Sequence, residues 1–277
     1  MNRLPDIKLN DGQLLPAVGL GTYPNKGDDA AAVVASGIGI GYRLIDTALR
    51  YENEAGVGEG IRRSGLDRGE IVVTSKLPGR FHGYDSAWVA VQESLHNLGL
   101  DRIDLYLIHW PLPRQGKYVD TWKALVELQR EGLVGSIGVS NFTEEHLTRL
   151  IDATGVTPAV NQIEMHPLFP QAELRAAHAR LGIVTESWSP LGRGTGVLES
   201  DTIREIAAAH EVSPAQAVLR WHTQLGSVPI PMSTNPDRQR QNLEIGGFEL
   251  SDAELARISG LEQGRIWGQD PDEHEEF

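Results

Sequence analysis

The sequence predicts a single α/β domain spanning 1–277, a (β/α)8 barrel with a β-hairpin in front and extra helices and a tail behind. Three observations carry this. First, about eight strand-like runs alternate with helix-like runs at a repeat of roughly 30 residues, the length of a βα unit. Second, three of those runs end on reactive side chains. The run starting at Arg43 delivers Asp46, the run starting at Ile71 delivers Lys76, and the apolar run from Ile103 ends at His109 and Trp110. Parallel barrel strands supply one site from their C-terminal ends in this way. Third, no Pro/Ser-rich linker divides the 277 residues.

Taken in order, Ile7–Pro16 holds two short apolar pieces around Asn10-Asp11-Gly12 and reads as the hairpin. Val18–Tyr23 is the first barrel strand. Asp28–Ser36 is a helix with Asp28 or Asp29 near its cap. Gly37–Gly41 looks superficially like a dinucleotide loop. It follows a helix and precedes a strand, the reverse of what that fingerprint requires, so it reads as a turn. After the strand ending at Asp46, Asn53–Ser64 is helical and is closed by Gly65. The strand to Lys76 follows, and then the helix Asp85–Leu98, with Trp88, Val91, Leu95 and Leu98 on one face and Gly99 behind.

Beyond His109 come a helix over 120–130, a strand over 135–139 running into Ser140-Asn141, and a helix over 143–153 with a loose cap signature at Thr143. Strand 158–163, helix 171–181 and strand 182–187 lead into Trp188. Helices 202–209 and 214–225 follow, the second with Ser213 as cap and Pro214 in its first turn. A last strand over 227–231 precedes helices 236–242 and 251–259. The segment 268–277 is acidic and polar and reads as a tail over the surface.

Composition removes several function classes. The formal net charge of −13, from 38 acidic and 25 basic residues, argues against nucleic acid as a partner. The same charge gives no long-range attraction for an anionic substrate, so recognition of an anion has to be local. There is no cysteine, which excludes disulfides, thiolate catalysis and Cys-ligated zinc, and no metal is expected. Residues 1–6 lack a signal-peptide core, and no apolar run approaches a membrane span. A cytoplasmic monomer acting on a small molecule is the expectation. Asn141-Phe142-Thr143 fits a glycosylation sequon and is discounted for the same reason. Glu186 reads as a structural ion pair rather than an acid catalyst.

Asp46, Lys76 and His109 share strand ends, and Tyr51 falls just beyond Asp46 on the same rim. A phenol has a pKa of about 10. An ammonium about 4 Å away, at an effective dielectric near 20, favours the phenolate by about 4 kcal/mol. That would bring the phenol towards neutrality. Asp46 would hold Lys76, and His109 would orient a substrate oxygen, making Tyr51 a general acid for carbonyl chemistry.

These residues lie in longer motifs. Asp46-Thr47-Ala48-Leu49-Arg50-Tyr51-Glu52-Asn53-Glu54 with Val57-Gly58 resembles the signature of the aldo-keto reductases. So do Lys76, Leu107–Pro111, Gly138–Phe142, Asn161-Gln162 and Glu186–Gly192. The resemblance runs over essentially the whole chain. Its tail, with Arg265-Ile266-Trp267 and Asp270–Glu276, is similar to that of the shorter, B-type bacterial 2,5-diketo-D-gluconate reductases.

The resemblance implies a catalytic tetrad of Asp46, Tyr51, Lys76 and His109. It implies NADPH across the barrel mouth, with hydride from nicotinamide C4 and the proton from Tyr51, and reduction of aldehydes or ketones, keto sugar acids such as 2,5-diketo-D-gluconate among them. Ser140, Asn141 and Gln162 match the residues that hold the carboxamide, and Trp188 the ring that stacks on nicotinamide. Gly21 and Thr22 match cofactor-contacting positions of the first strand. Ser189, Leu191 and Gly192 match the pyrophosphate loop. Met232, Ser233, Arg238, Gln241 and Asn242 match the adenosine end. Tyr23, Pro78, Trp110 and Trp267 match substrate walls. Arg50, Arg80, His82 and Arg265 are the candidates for contact with a substrate carboxylate.

One position departs from the family. Met232 stands where a lysine usually contacts the 2′-phosphate, and it cannot donate a hydrogen bond. Weakened preference for NADPH over NADH is therefore expected, unless Arg238 and Ser233 retain it. Two rival functions share the fold class: a Schiff-base aldolase or isomerase using Lys76, and a cofactor-binding redox sensor.

Overall fold

The strand runs are short and apolar on both faces, so they bury themselves by closing into a ring with helices outside. The computed structural model describes residues 4–276. Residues 1–3, the start of the 1–6 segment read for a signal peptide, and Phe277 at the end of the tail lie outside the described residues. The hairpin pairs β1 (Ile7–Lys8) antiparallel with β2 (Leu14–Leu15). Eight parallel strands then lie side by side in chain order: β3 (Leu20–Gly21), β4 (Leu44–Asp46), β5 (Val72–Leu77), β6 (Ile103–Ile108), β7 (Val134–Ser140), β8 (Val160–Glu164), β9 (Val184–Trp188) and β10 (Ser227–Pro229).

The ring closes between its first and last strands. Gly19 N and Gly21 N donate to Pro229 O and Pro231 O at 3.0 and 3.1 Å. Neither proline has an N–H to return, so this seam is bonded from one side only. This is the predicted (β/α)8 barrel.

The helices are α1 (Gly27–Ile40), α2 (Glu54–Ser64), α3 (Tyr84–Leu98), α4 (Tyr118–Arg130), α5 (Glu144–Thr154) and α6 (Ala172–Leu181). Then α7 (Asp201–Ala209) and α8 (Pro214–Gln224) follow β9, and α9 (Pro236–Leu243) and α10 (Asp252–Ser259) follow β10. The cap chemistry is stronger than the sequence suggested at α5. Thr143 caps it, and His146, three residues on, returns a bond to the cap's backbone. Ser213 and Gln216 make the same box at α8. At α1 neither Asp28 nor Asp29 is the cap; Lys26 is, and both acids sit in the first turn. There they still meet the positive end of the helix dipole.

The predicted turn at 37–41 is mostly helix. α1 runs to Ile40, and only Gly41, at φ 133°, makes the turn. Gly37 is needed for contact instead: a Cβ there would fall 2.4 Å from Leu20 Cδ2. Gly58 serves α2 likewise, since its Cβ would fall 2.0 Å from Leu98 O.

Two apolar layers result. Outward-facing strand residues such as Ile45, Val73, Tyr106 and Ile108 pack on the helices. Inward-facing Leu44, Leu105, Leu107, Val160, Val228 and Ile230 fill the barrel, and Leu9 and Leu15 of the hairpin join them. Apolar side chains thus close one end of the barrel, and the opposite end is polar. No helix among the described residues is long and apolar enough to cross a membrane.

Candidate active site

The C-terminal strand ends place four predicted residues together. Asp46 is the last residue of β4, and Lys76 lies one residue before the end of β5. Parallel pairing sets Asp46 beside Thr74, so Lys76 stands one pleat higher on the same face. Its ammonium, with the side chain fully buried, lies 2.7 Å from Asp46 Oδ1 and donates to Thr47 O at 2.9 Å. A 3₁₀ turn, Leu49–Tyr51, directly after β4 swings Tyr51 over this pair. Lys76 Nζ sits 5.2 Å from the Tyr51 ring centre. His109 follows β6 and meets Tyr51 edge to face, with ring centres 5.8 Å apart.

The electrostatics differ from the sequence expectation in one respect. Burial raises the Tyr51 pKa above its ordinary value, Lys76 opposes the rise, and Asp46 and Glu276 add to it. The net direction is upward, not towards neutrality. Desolvation of a phenolate outweighs one neighbouring ammonium that is itself shared with a carboxylate. The phenol is held in its protonated form. Burial lowers the Lys76 pKa, but Asp46 and the phenol outweigh it and hold the ammonium above its usual range. A Schiff-base lysine needs a neutral amine, whereas this one has a carboxylate partner at 2.7 Å, which speaks against the aldolase alternative.

Behind the tetrad is a polar layer inside the barrel. Gln162 Nε2 donates to Asp46 Oδ2 at 2.8 Å and to Glu186 Oε2 at 3.0 Å. Glu186 is not the ion pair expected of it. Fully buried, it is pushed up to about 8 by burial and by Asp46, so near neutral pH it stands largely as the neutral acid. Asn141, in the left-handed region at φ 63°, donates to His109 O and Ser140 Oγ, both at 3.0 Å. Its Oδ1 accepts the Trp188 indole N–H at 2.8 Å, which fixes the plane of that ring. Ser140 Oγ donates to Gln162 O at 2.8 Å.

The pattern common to the Aldo/keto reductase family matches residues 17–263. The chain belongs to the aldo/keto reductase family. It is 54% identical, over the full length of both chains, to 2,5-diketo-D-gluconic acid reductase B of Corynebacterium sp. (strain SHS752001). It is 46% identical to methylglyoxal reductase DkgA of Escherichia coli (strain K12), covering 96% of this chain and 97% of that one. Among solved structures, a Gox0644 mutant in complex with NADPH superposes with a TM-score of 0.93 at 48% identity, covering 98% of each chain. Another, an aldo/keto reductase from Brucella melitensis, gives 0.90 at 46% identity, covering 93% of this chain and 99% of that one. The protein is therefore an oxidoreductase of a family that binds NADP(H).

In this aldo/keto reductase the remaining predicted residues fall into four groups. Around the mouth, Tyr23 is half-exposed with its ring centre 5.1 Å from that of Tyr51. Trp267 lies 5.5 Å from Trp188, and Pro78 and Trp110 are buried. Along the rim, Ser189 and Gly192 turn the backbone at φ 49° and 61°, with Leu191 between them half-buried. On the outer arm, Met232, Arg238 and Gln241 are exposed, Ser233 is half-buried, and Asn242 is buried. Gly21 is buried in the seam strand. Buried Thr22 turns its hydroxyl inward, donating to Asp46 O at 3.0 Å.

The carboxylate candidates are already engaged. Arg50 lies 3.4 Å from Glu276, Arg265 lies 3.5 Å from the buried Glu164, and Arg80 stacks on Phe81. His82 is buried and pushed down to about 4, which leaves it neutral. The guanidinium that does stand over the mouth is Arg193, exposed and 5.9 Å from the Tyr23 ring centre. Sequence inspection missed it. It also missed Asn53, which binds Thr47, Thr22 and the Asn25 backbone and so ties the loop after β3 to the turn bearing Tyr51. The signal for Asn53 was its place within the 46–54 motif.

The tail is a loop over the surface, as read from its composition, but it is anchored at two points. Pro271 and Glu276 are buried, His274 packs on Trp110 at 4.3 Å between ring centres, and Glu276 enters the mouth. Composition did not point to the anchors because five of its ten residues are acidic. An acidic side chain is buried only when partners are waiting for it, and those partners lie far away in sequence.

Proposed function

We propose that this chain reduces a small aldehyde or ketone to the alcohol, with Asp46, Tyr51, Lys76 and His109 as its catalytic tetrad. NADPH, when bound, supplies the hydride. Tyr51 gives the phenol proton to the carbonyl oxygen, breaking its own O–H bond as the alcohol O–H forms. Lys76 stabilises the phenolate left behind, and Asp46 keeps Lys76 charged and aimed. His109 orients the carbonyl oxygen against Tyr51. The single observation that carries this reading is the buried Asp46–Lys76 pair lying against the Tyr51 ring, with the imidazole on the other side of that ring.

The residues present suit a nicotinamide. Trp188 offers a ring whose plane Asn141 fixes. The amide N–H groups of Gln162 are directed at Asp46 and Glu186, which turns its carbonyl oxygen towards a donor such as a carboxamide NH₂. Ser140 and Asn141 complete that end. Ser189, Leu191 and Gly192 border the pyrophosphate, and Ser233, Arg238, Gln241 and Asn242 the adenosine. With Met232 in place of a lysine, discrimination against NADH is weakened. Keto sugar acids such as 2,5-diketo-D-gluconate are the proposed substrates, after the corynebacterial relative's name. Arg193 is the cation at the mouth that can meet their carboxylate.

The test is oxidation of NADPH with a panel of neutral and anionic carbonyl compounds, for the natural chain and for Tyr51→Phe. Turnover should fall about 10²- to 10⁴-fold in the variant, while NADPH still quenches tryptophan fluorescence as before. Equal turnover by Tyr51→Phe would remove the phenol from the mechanism.

A further inference from the structure

The loop 189–196 after β9 makes few polar contacts with the barrel that carries it. Its backbone bonds mainly to itself: Gly192 N donates to Ser189 O and Thr195 N to Gly192 O, both at 3.0 Å. Gly192, Gly194 and Gly196 all stand at positive φ, and Arg193 and Gly194 are exposed. Leu191 and Val197 pack on Ile203 of α7 and Val218 of α8. Among the described residues, one side chain from outside the loop hydrogen-bonds its backbone: His222 Nε2 lies 3.0 Å from Pro190 O. His222 is on α8, fully buried, and the tetrad does not use it.

The pair has one chemical sense. A carbonyl oxygen only accepts, so Nε2 carries the hydrogen. Burial pushes the His222 imidazole down to about 3, against the pull of the Pro190 carbonyl and with help from His166 and Arg175, so the ring is neutral. Its hydrogen is then on Nε2 alone, and Nδ1 is a bare buried nitrogen without a hydrogen-bond partner. The bond also falls at a constrained place. Ser189 stands at φ 49°, a left-handed conformation that a residue before proline seldom takes. Such a residue persists only where its surroundings over-determine it. Here both neighbours are pinned: the Trp188 indole N–H donates to Asn141 Oδ1 at 2.8 Å, and the Pro190 carbonyl accepts from His222. Trp221, beside His222, donates to Ser259 Oγ of α10 at 3.0 Å, so the imidazole projects from an anchored helix.

We propose that His222 is the positioning residue of the cofactor loop, holding the Pro190 carbonyl so that Ser189, Leu191 and Gly192 stand where the pyrophosphate is received. This rests on the reading of that loop as the pyrophosphate border. Without the bond, the carbonyl is left buried and unpaired, and the loop gains by opening towards water. The loss then falls on the middle of the dinucleotide. The outer arm is held separately, by Gln239 Nε2 donating to Ser233 O at 2.9 Å and to Val33 O at 3.2 Å.

The test uses the full chain, with NADPH and adenosine 2′,5′-bisphosphate as probes in calorimetric titrations. The bisphosphate carries the adenosine end of the cofactor without the pyrophosphate or the nicotinamide. His222→Phe keeps a ring of similar size and removes the donor. The Kd of NADPH should rise roughly tenfold, while that of the bisphosphate stays where it was. With methylglyoxal as the carbonyl, the effect should fall on KM for NADPH rather than on kcat. Trypsin should cut faster after the exposed Arg193. His222→Gln, whose amide N–H can replace that of Nε2, should restore NADPH binding. His222→Asn, too short to reach, should behave as His222→Phe and supplies the contrast if the larger ring is not accommodated. Protection of the Arg193 bond by NADPH in the natural chain checks the underlying reading separately. If NADPH protects that bond yet its Kd is unmoved in the variants that cannot make the contact, the proposal is overturned. It is also overturned if both probes weaken together and His222→Gln restores neither, since His222 is then only part of the packing of α8.

Discussion

The two ends of the barrel are built from the same strands by opposite rules. The floor is hydrocarbon: Leu44, Leu105 and Val228 meet Leu9 and Leu15 of the hairpin. At the mouth, continuations of the same strands bury Asp46, Lys76, Gln162 and Glu186. Apolar contacts at the floor are non-directional, and hydrophobic replacements of similar volume are tolerated there. Each buried polar group at the mouth needs a named partner: Lys76 has Asp46 and Thr47, and Gln162 has Asp46 and Glu186. The contrast shows where this chain holds stability and where it accepts strain for chemistry. Glu186, raised to about 8 by burial and Asp46, is a standing cost that a carbon-lined end never incurs.

Substitutions at the two ends should separate these roles. The largest stability effect is expected at the floor. Leu105→Ala leaves a cavity among inward-facing residues and should cost about 2–5 kcal/mol in denaturant unfolding. The kcat of the folded fraction should be unchanged, and a parallel loss of kcat would mean that the two ends are not separable.

At the mouth, Glu186→Gln should stabilise, and its effect should depend on pH. The folded pKa is raised from 4.5 to about 8. Between those values the folded chain keeps a proton that the unfolded chain has released, so this group's contribution falls as pH rises through that window. The gain in unfolding free energy from Glu186→Gln should be small near pH 4.5 and grow towards pH 8, passing on the order of 3 kcal/mol near pH 7. A gain that is flat with pH would show that the carboxyl is already ionised in the folded state.

The smallest effect belongs to the outer arm, where solvent screens charge. Met232 is 40% exposed. Met232→Lys should raise the NADPH/NADH ratio of kcat/KM towards the low end of the roughly 10- to 150-fold that a charged hydrogen bond supplies, about 1.5–3 kcal/mol. An unchanged ratio would mean that Arg238 and Ser233 already provide the discrimination.

Local pattern determined much of this protein from sequence alone. Strand runs alternating with helical faces specify the barrel, because period and turn chemistry are encoded within a few residues of where they act. That Asp46, Lys76 and His109 share one end of the barrel was legible because a strand that ends on a reactive side chain says which end that side chain occupies. Only the tertiary structure decided the outcome of competing long-range terms. Burial outweighs Lys76 at the Tyr51 phenol, Glu186 is held largely neutral, and Arg50 is engaged before any substrate arrives. Glu276 belongs to the same class. Nothing near it in sequence indicates that His109, Arg50 and the Gly79 amide converge on one spot, because desolvation and ion pairing depend on neighbours that the chain brings together only when it closes.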